Sequence, residues 1–197
     1  SRGSTQIVTS AAPTGLAVGM LMWIHAPVSA NVGGTGFSNW FGTDPFTQCV
    51  KVTGVSGSTI DFSPAINADY LSGTIRISYR GASNTISRSG ISNCSFVVTG
   101  SGSGDHYLQF YGTDECWALN CKTNDVQSSR YHCYIYANFR TEIRRCDMSR
   151  MRDLGSSTYC ILPIQSSSAL IEDNYFHNCP NVMPMNGLSG SAFAYNY

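Results

Sequence analysis

The chain is short of charge. Only 12% of its 197 residues are Asp, Glu, Lys or Arg, about half the usual share. Twelve basic and twelve acidic residues cancel, which offers a phosphate backbone nothing, so nucleic acid is not an expected partner. Long apolar runs are missing too. The best candidate, GLAVGMLMWIHAPV, is interrupted by Gly19, His25 and Pro27, short of the ~18 residues that a membrane span requires. It also lacks the basic leader and cleavage site of a signal peptide. Helical spacing and helix caps are absent, which excludes a coiled coil or a bundle. There is no CxxC, and Cys and His never group at zinc-ligand spacing, so no metal site is expected.

Glycine, serine, threonine and asparagine are plentiful instead, the profile of an all-β protein rich in turns. The eight cysteines, an even count in a charge-poor chain, point to an oxidising, extracellular setting. The sequence opens at Ser1 without Met, and is expected to be a piece of something longer.

A phrase recurs. GISNCSF carries Ile91, Cys94 and Phe96; WALNCKT carries Ala118, Cys121 and Thr123; EIRRCDM carries Ile143, Cys146 and Met148. LIEDNYF carries Ile171, Asn174 and Phe176, and AFAYNY carries Phe193 and Asn196. The shared pattern is apolar–x–x–(Cys or Asn)–x–apolar, with Thr123 its weakest member. The kink position, 94, 121, 146, 174 and 196, advances by 27, 25, 28 and 22 residues, and self-similarity at such a period is the mark of a solenoid. A second line of strands runs ahead of each kink: LQFY at 108–111, CYIY at 133–136, CILPIQ at 160–165 and VMPM at 182–185. Alternation puts Leu108, Phe110, Cys133 and Ile135 inside, and Gln109, Tyr111, His132, Tyr134, Tyr136 and Gln165 in an outward row.

Three short strands per period, stacked at ~4.8 Å, make a parallel β-helix. Asn at the corner brings both a donor and an acceptor to the backbone groups that a turn exposes. Asn174 and Asn196 are expected to form the polar end of a ladder that Cys94, Cys121 and Cys146 continue as small buried fillers. Disulfides at Cys94–Cys121 or Cys121–Cys146 are the competing reading.

These phrases, IEDNYFHNC above all, resemble the right-handed parallel β-helix proteins of the pectate-lyase-like (pectin-lyase-like) superfamily, over roughly residues 85–197. The resemblance implies a three-sheet solenoid, with the sheet of the YIY strand lining a substrate groove. TQIVTSAAPTGLAVGMLMWI and TQCVKVTGVSGSTIDFSPAI are similar to the paired β segments that precede the coil in some members. The expected organisation is a small β-hairpin or β-barrel-like subdomain over 1–80, then β-helix coils over 81–197, cut off at the C-terminus. QCVKVTGVSGSTIDF predicts a hairpin around Gly57. NVGGTGFSNWFGTDPF predicts a long loop. A coil without a cap would leave strand edges open to end-to-end self-association.

Six of the ten Arg lie between 130 and 152, enough for a basic groove that pairs the carboxylates of an acidic polysaccharide. Arg140, Arg145, Asp147 and His132 are the candidate catalytic residues. Asp147, Asp153 and Glu142 are the oxygens that would hold calcium, if a cofactor is used at all. Gln109, Tyr111, Tyr134, Tyr136 and Gln165 are the candidate glycan-binding residues. The competing readings are solvated charges and ordinary strand tyrosines. The catalytic motifs of polygalacturonases, classical pectate lyases and pectin methylesterases are not present. Two functions stay open: an extracellular lyase or hydrolase of an acidic polysaccharide, or a non-catalytic glycan-binding, tail-fibre-like or filament-building module.

Overall fold

The computed structural model describes residues 2–26, 46–67, 75–81, 85–97, 106–126, 131–151, 158–184 and 188–197. All regular structure among them is β, and no helix is long and apolar enough to cross a membrane. The chain divides into two compact units, Ser1–Thr85 and Ile86–Tyr197.

The first unit is one antiparallel sheet. Its strands are β1 (Gln6–Val8), β2 (Leu21–Ala26), β3 (Phe46–Ser56), β4 (Thr59–Ser63) and β5 (Arg76–Arg80), in the order β1-β4-β3-β2-β5. Among the described residues β1 and β5 stand at its edges. The predicted hairpin is β3–β4. Ser56 pairs with Thr59 across Gly57 and Ser58, and Gly57 takes the left-handed φ of 59° that so tight a turn needs. Met22, Ile24, Val50, Val52, Ile60 and Phe62 form this unit's core. The glycine-rich segment NVGGTGFSNWFGTDPF lies outside the described residues except for Phe46.

The second unit is the parallel β-helix. One sheet stacks β6 (Gly90–Ser92), β9 (Trp117–Leu119), β12 (Glu142–Arg144), β16 (Leu170–Glu172) and β19 (Ala192–Ala194). The next stacks β7 (Ser95–Val97), β10 (Lys122–Val126), β13 (Asp147–Met151) and β17 (Tyr175–His177). The third stacks β8 (His106–Tyr111), β11 (Tyr131–Tyr136) and β14 (Ile161–Ile164). Short strands β15 (Ser166–Ser167) and β18 (Leu188–Ser189) pair beside them. Side chains then fall into columns. Ile91, Ala118, Ile143, Ile171 and Phe193 are in register, as are Phe96, Thr123, Met148 and Phe176. Leu108, Cys133 and Ile161 make a third column, with Phe110, Ile135 and Pro163 beside it. A strand this short buries little by itself; the column supplies the apolar area.

The corners differ from expectation in one respect. The residue that turns the chain is the one before the Cys or Asn. Asn93, Asn120, Arg145, Asp173 and Tyr195 all sit in the left-handed region, φ between 52° and 56°. Arg88, Glu115, Arg140 and Ser168 do the same at a second corner, φ between 49° and 57°. Left-handed backbone points the next side chain into the coil. There the expected ladder forms. Asn174 Nδ2 donates to Ile143 O and to Asn196 Oδ1, both at 2.9 Å, and Asn196 Nδ2 donates to Ile171 O at 3.0 Å. Cys146 and Cys121 Sγ face Ala118 O and Ile91 O one coil down, at 3.6 and 3.8 Å. The thiols of Cys94, Cys121 and Cys146 are unbonded. The pairing that does occur, Cys160–Cys179, joins two cysteines outside that ladder. In the VMPM segment, residues 182–184 form no strand, although Ile161 N bonds Val182 O at 2.9 Å; Met185 lies outside the described residues.

Candidate functional site

Parallel stacking turns single outward residues into rows. In the third sheet Tyr134 pairs with Gln109, and Tyr136 with Tyr111. Tyr111 stacks on Tyr136 of the next coil at 4.9 Å, and Tyr134 lies beside Tyr136 on the same strand at 6.0 Å. His106 extends the row, 4.8 Å from Tyr134 and 5.2 Å from Tyr131, and Tyr159 adds a further ring 6.3 Å from Tyr131. The spacing of coils fixes this geometry, because neighbouring rings one strand apart can only lie nearly parallel. Much of each ring face is thereby spent on its neighbour. What the row presents outward is ring edges and phenol hydroxyls. Burial, and then the neighbouring phenols, push the Tyr134 and Tyr136 hydroxyls above their ordinary pKa, so both stay neutral hydrogen-bond donors. Tyr111 is the most open ring of the row, 55% exposed. Gln109 is exposed and Gln165 half-buried at a left-handed corner. Above Tyr134 and Tyr136 the row passes to Leu162 and Ile164, which are buried.

His132 does not belong to that row. Tyr131 and Tyr134 stack on the same imidazole, while His132 and Cys133 between them are both fully buried. The strand departs from alternation there, and His132 turns inward. Its Nδ1 shares a 2.8 Å hydrogen bond with Thr123 Oγ1, which explains why a column of Phe and Met admits a threonine. Burial lowers the His132 pKa to about 4, with Asp147 opposing. The expectation that His132 faces outward is therefore corrected. Burial also raises the Cys146 thiol to about 11 and the Cys133 thiol well above its ordinary value, which holds both protonated.

The charged candidates separate. Arg140 lines an open hollow of about 410 Å³ with Arg88, Glu115, Cys116, Trp117, Leu119 and Glu142. Glu115 holds both guanidiniums, Arg88 Nε on Oε2 and Arg140 Nη1 on Oε1, each at 3.0 Å. Asp147 pairs with Lys122 at 2.9 Å on the next sheet. Arg145 is an exposed corner residue. Arg140, Arg145, Asp147 and His132 thus form no single catalytic constellation. Nor do the proposed calcium oxygens converge: Glu142 faces Arg144 at 3.8 Å, Asp147 faces Lys122, and Asp153 lies outside the described residues. Arg88, Glu115 and Trp117 escaped the sequence reading. The signal was present, since Glu115 lies 27 residues after Arg88 and 25 before Arg140, the same steps that separate the corners.

No family model and no curated protein matches the sequence. Among solved structures, the chain is similar to the tailspike protein gp49 from Pseudomonas phage LKA1, with a TM-score of 0.61 and 16% identity over 97% of this chain and 31% of that one. It is also similar to the tailspike gp61 of Pseudomonas phage phi297, with a TM-score of 0.57 and 15% identity over 97% of this chain and 29% of that one. The chain therefore spans under a third of the length of either tailspike, and what it shares with them at this identity is the β-helix fold.

Proposed function

We propose that this chain is a glycan-binding β-helix module of a phage tailspike-like protein, working outside the cell on a surface polysaccharide. The observation that carries the reading is the outward row of Tyr111, Tyr134 and Tyr136 with Gln109 beside it. Parallel phenols at coil spacing offer a row of neutral donors and apolar edges, which suits a chain of sugars with alternating hydroxyls and CH surfaces. The hollow is lined by Arg88, Arg140, Glu115 and Glu142, two guanidiniums and two carboxylates, and would offer a sugar charged donors and acceptors side by side. Membership of the pectate-lyase-like superfamily belongs to the same proposal.

Cleavage is the second reading, favoured by Glu115 and Glu142 lining one hollow with Trp117. Against it, Glu115 has both oxygens on guanidiniums. The test is calorimetric titration of the full chain with a panel of neutral and acidic bacterial polysaccharides, followed by assay for reducing ends and unsaturated products. Binding that weakens by roughly tenfold or more in the Tyr134→Ala, Tyr136→Ala double variant, with an unchanged far-ultraviolet spectrum, is expected. A folded chain that binds no polysaccharide overturns the proposal. Products released by the wild type and lost in Glu142→Gln move the function to cleavage.

A further inference from the structure

One grouping of metal-ligating side chains stands apart from the glycan face. A ring nitrogen of His132 and the sulfurs of Cys160 and Cys179 lie within 4.8 Å of one another. The three come from β11, the residue before β14 and the residue pair after β17, so sequence spacing does not reveal them. His132 and Cys160 are fully buried, and Cys179 packs partly buried against the same core. The Nδ1 of His132 is held by Thr123 Oγ1 at 2.8 Å, and its Nε2 is buried with no hydrogen-bond partner. A buried polar nitrogen without a partner is costly, and in native proteins calls for a reason. A histidine with one nitrogen anchored by a hydrogen bond and the other buried without a partner, beside two sulfurs, has the arrangement of a metal ligand with its outer support. Met151 Sδ lies 4.0 Å from Cys160 Sγ and adds a soft neighbour.

We infer that, when the Cys160–Cys179 bond is reduced, His132, Cys160 and Cys179 form a buried zinc(II) site of three protein ligands, the fourth tetrahedral position going to water. The geometry fits. Two thiolates on a tetrahedral zinc stand about 3.8 Å apart, given Zn–S near 2.3 Å. The two Cα atoms are 6.4 Å apart, which allows both sulfurs to reach one ion. Charge also fits: two thiolates and a neutral imidazole bring zinc(II) to zero net charge inside an apolar core, whereas copper(I) would leave a buried negative charge. The chemistry balances. A phosphine reductant gives two electrons to the disulfide, water gives its oxygen to the phosphine, and its two protons go to the sulfurs. Zinc then displaces both thiol protons as it binds.

The experiment is native mass spectrometry of the full chain. The protein is reduced anaerobically with a water-soluble phosphine, stripped of metal, and titrated with zinc chloride. About one zinc per chain is expected, with none on the oxidised protein and none on reduced Cys179→Ser, while Cys94→Ser keeps it. Charge-state distributions report in the same spectrum whether each variant is folded. Cobalt(II) in place of zinc should show thiolate-to-metal charge transfer, lost in His132→Gln or changed in position. No zinc on the folded, reduced wild type overturns the inference. So does zinc that survives Cys179→Ser.

Discussion

At the residue scale, the corner position shows how two side chains of different chemistry do one job. Asn174 Oδ1 accepts from Cys146 N at 2.9 Å, and its Nδ2 donates to Ile143 O and Asn196 Oδ1. Cys146 fills the same place one coil earlier with a thiol against Ala118 O and Arg144 O. Both are buried. Removing the amide strands a backbone donor and an acceptor away from water, whereas removing the thiol loses a weak donor and a small volume. Asn174→Ala should therefore cost about 2–4 kcal/mol, and Cys146→Ala nearer 1. Asn174→Cys should recover part of the loss by adopting the thiol's contact. Urea denaturation of the three variants measures this; equal losses for the two alanine variants would remove the ladder from the account of stability. The sequence showed this position plainly, because Asn and Cys recur on the repeat. It did not show which residue turns the chain. Asn93, Asn120 and Asp173 are of the kind that tolerates left-handed backbone, but Arg145 and Tyr195 are not, so the pattern breaks at two of the five corners.

At the element scale, the strands act through what they stack on. Gly90 of β6 pairs with Trp117 of β9. A Cβ at position 90 would lie 2.4 Å from Trp117 O and 2.5 Å from two of its ring atoms. The absent side chain lets the indole lie flat across the neighbouring strand, where it lines the charged hollow. Gly90→Ala should push the strands apart or turn the ring, costing about 1–3 kcal/mol. A shift in tryptophan emission with a lowered denaturation midpoint is the expected pair of results. An unchanged midpoint would mean that the edge strand yields freely. The outward tyrosines were legible from alternation over Leu108–Tyr111 of β8 and Cys133–Tyr136 of β11. His132 was not, because the strand irregularity that turns it inward leaves no trace in a window of six residues. The reason for that turn lies on another strand, in Thr123.

At the scale of the whole molecule, each unit has its own core. Ile135, Ile143, Met148, Ile161 and Ile171 belong to the coil, and Met22, Ile24, Val50 and Phe62 to the antiparallel sheet. The solenoid was readable because its period repeats a rule. The sheet was readable only as strands and one hairpin, since the order β1-β4-β3-β2-β5 depends on pairings far apart in sequence. The two architectures should also fail differently. In a stack, a defect at one coil is felt by the coils above and below, because each column lends its neighbours apolar contact. Ile135 is fully buried between Phe110 and Pro163. Ile135→Ala should cost about 2–5 kcal/mol. Amide hydrogen exchange should speed up together across β8, β11 and β14, while protection of β2, β3 and β4 stays as in the wild type. Exchange that rises only at β11 would mean that the coils open one by one. Exchange that rises equally in β2–β4 would mean that the two cores unfold as a single cooperative unit.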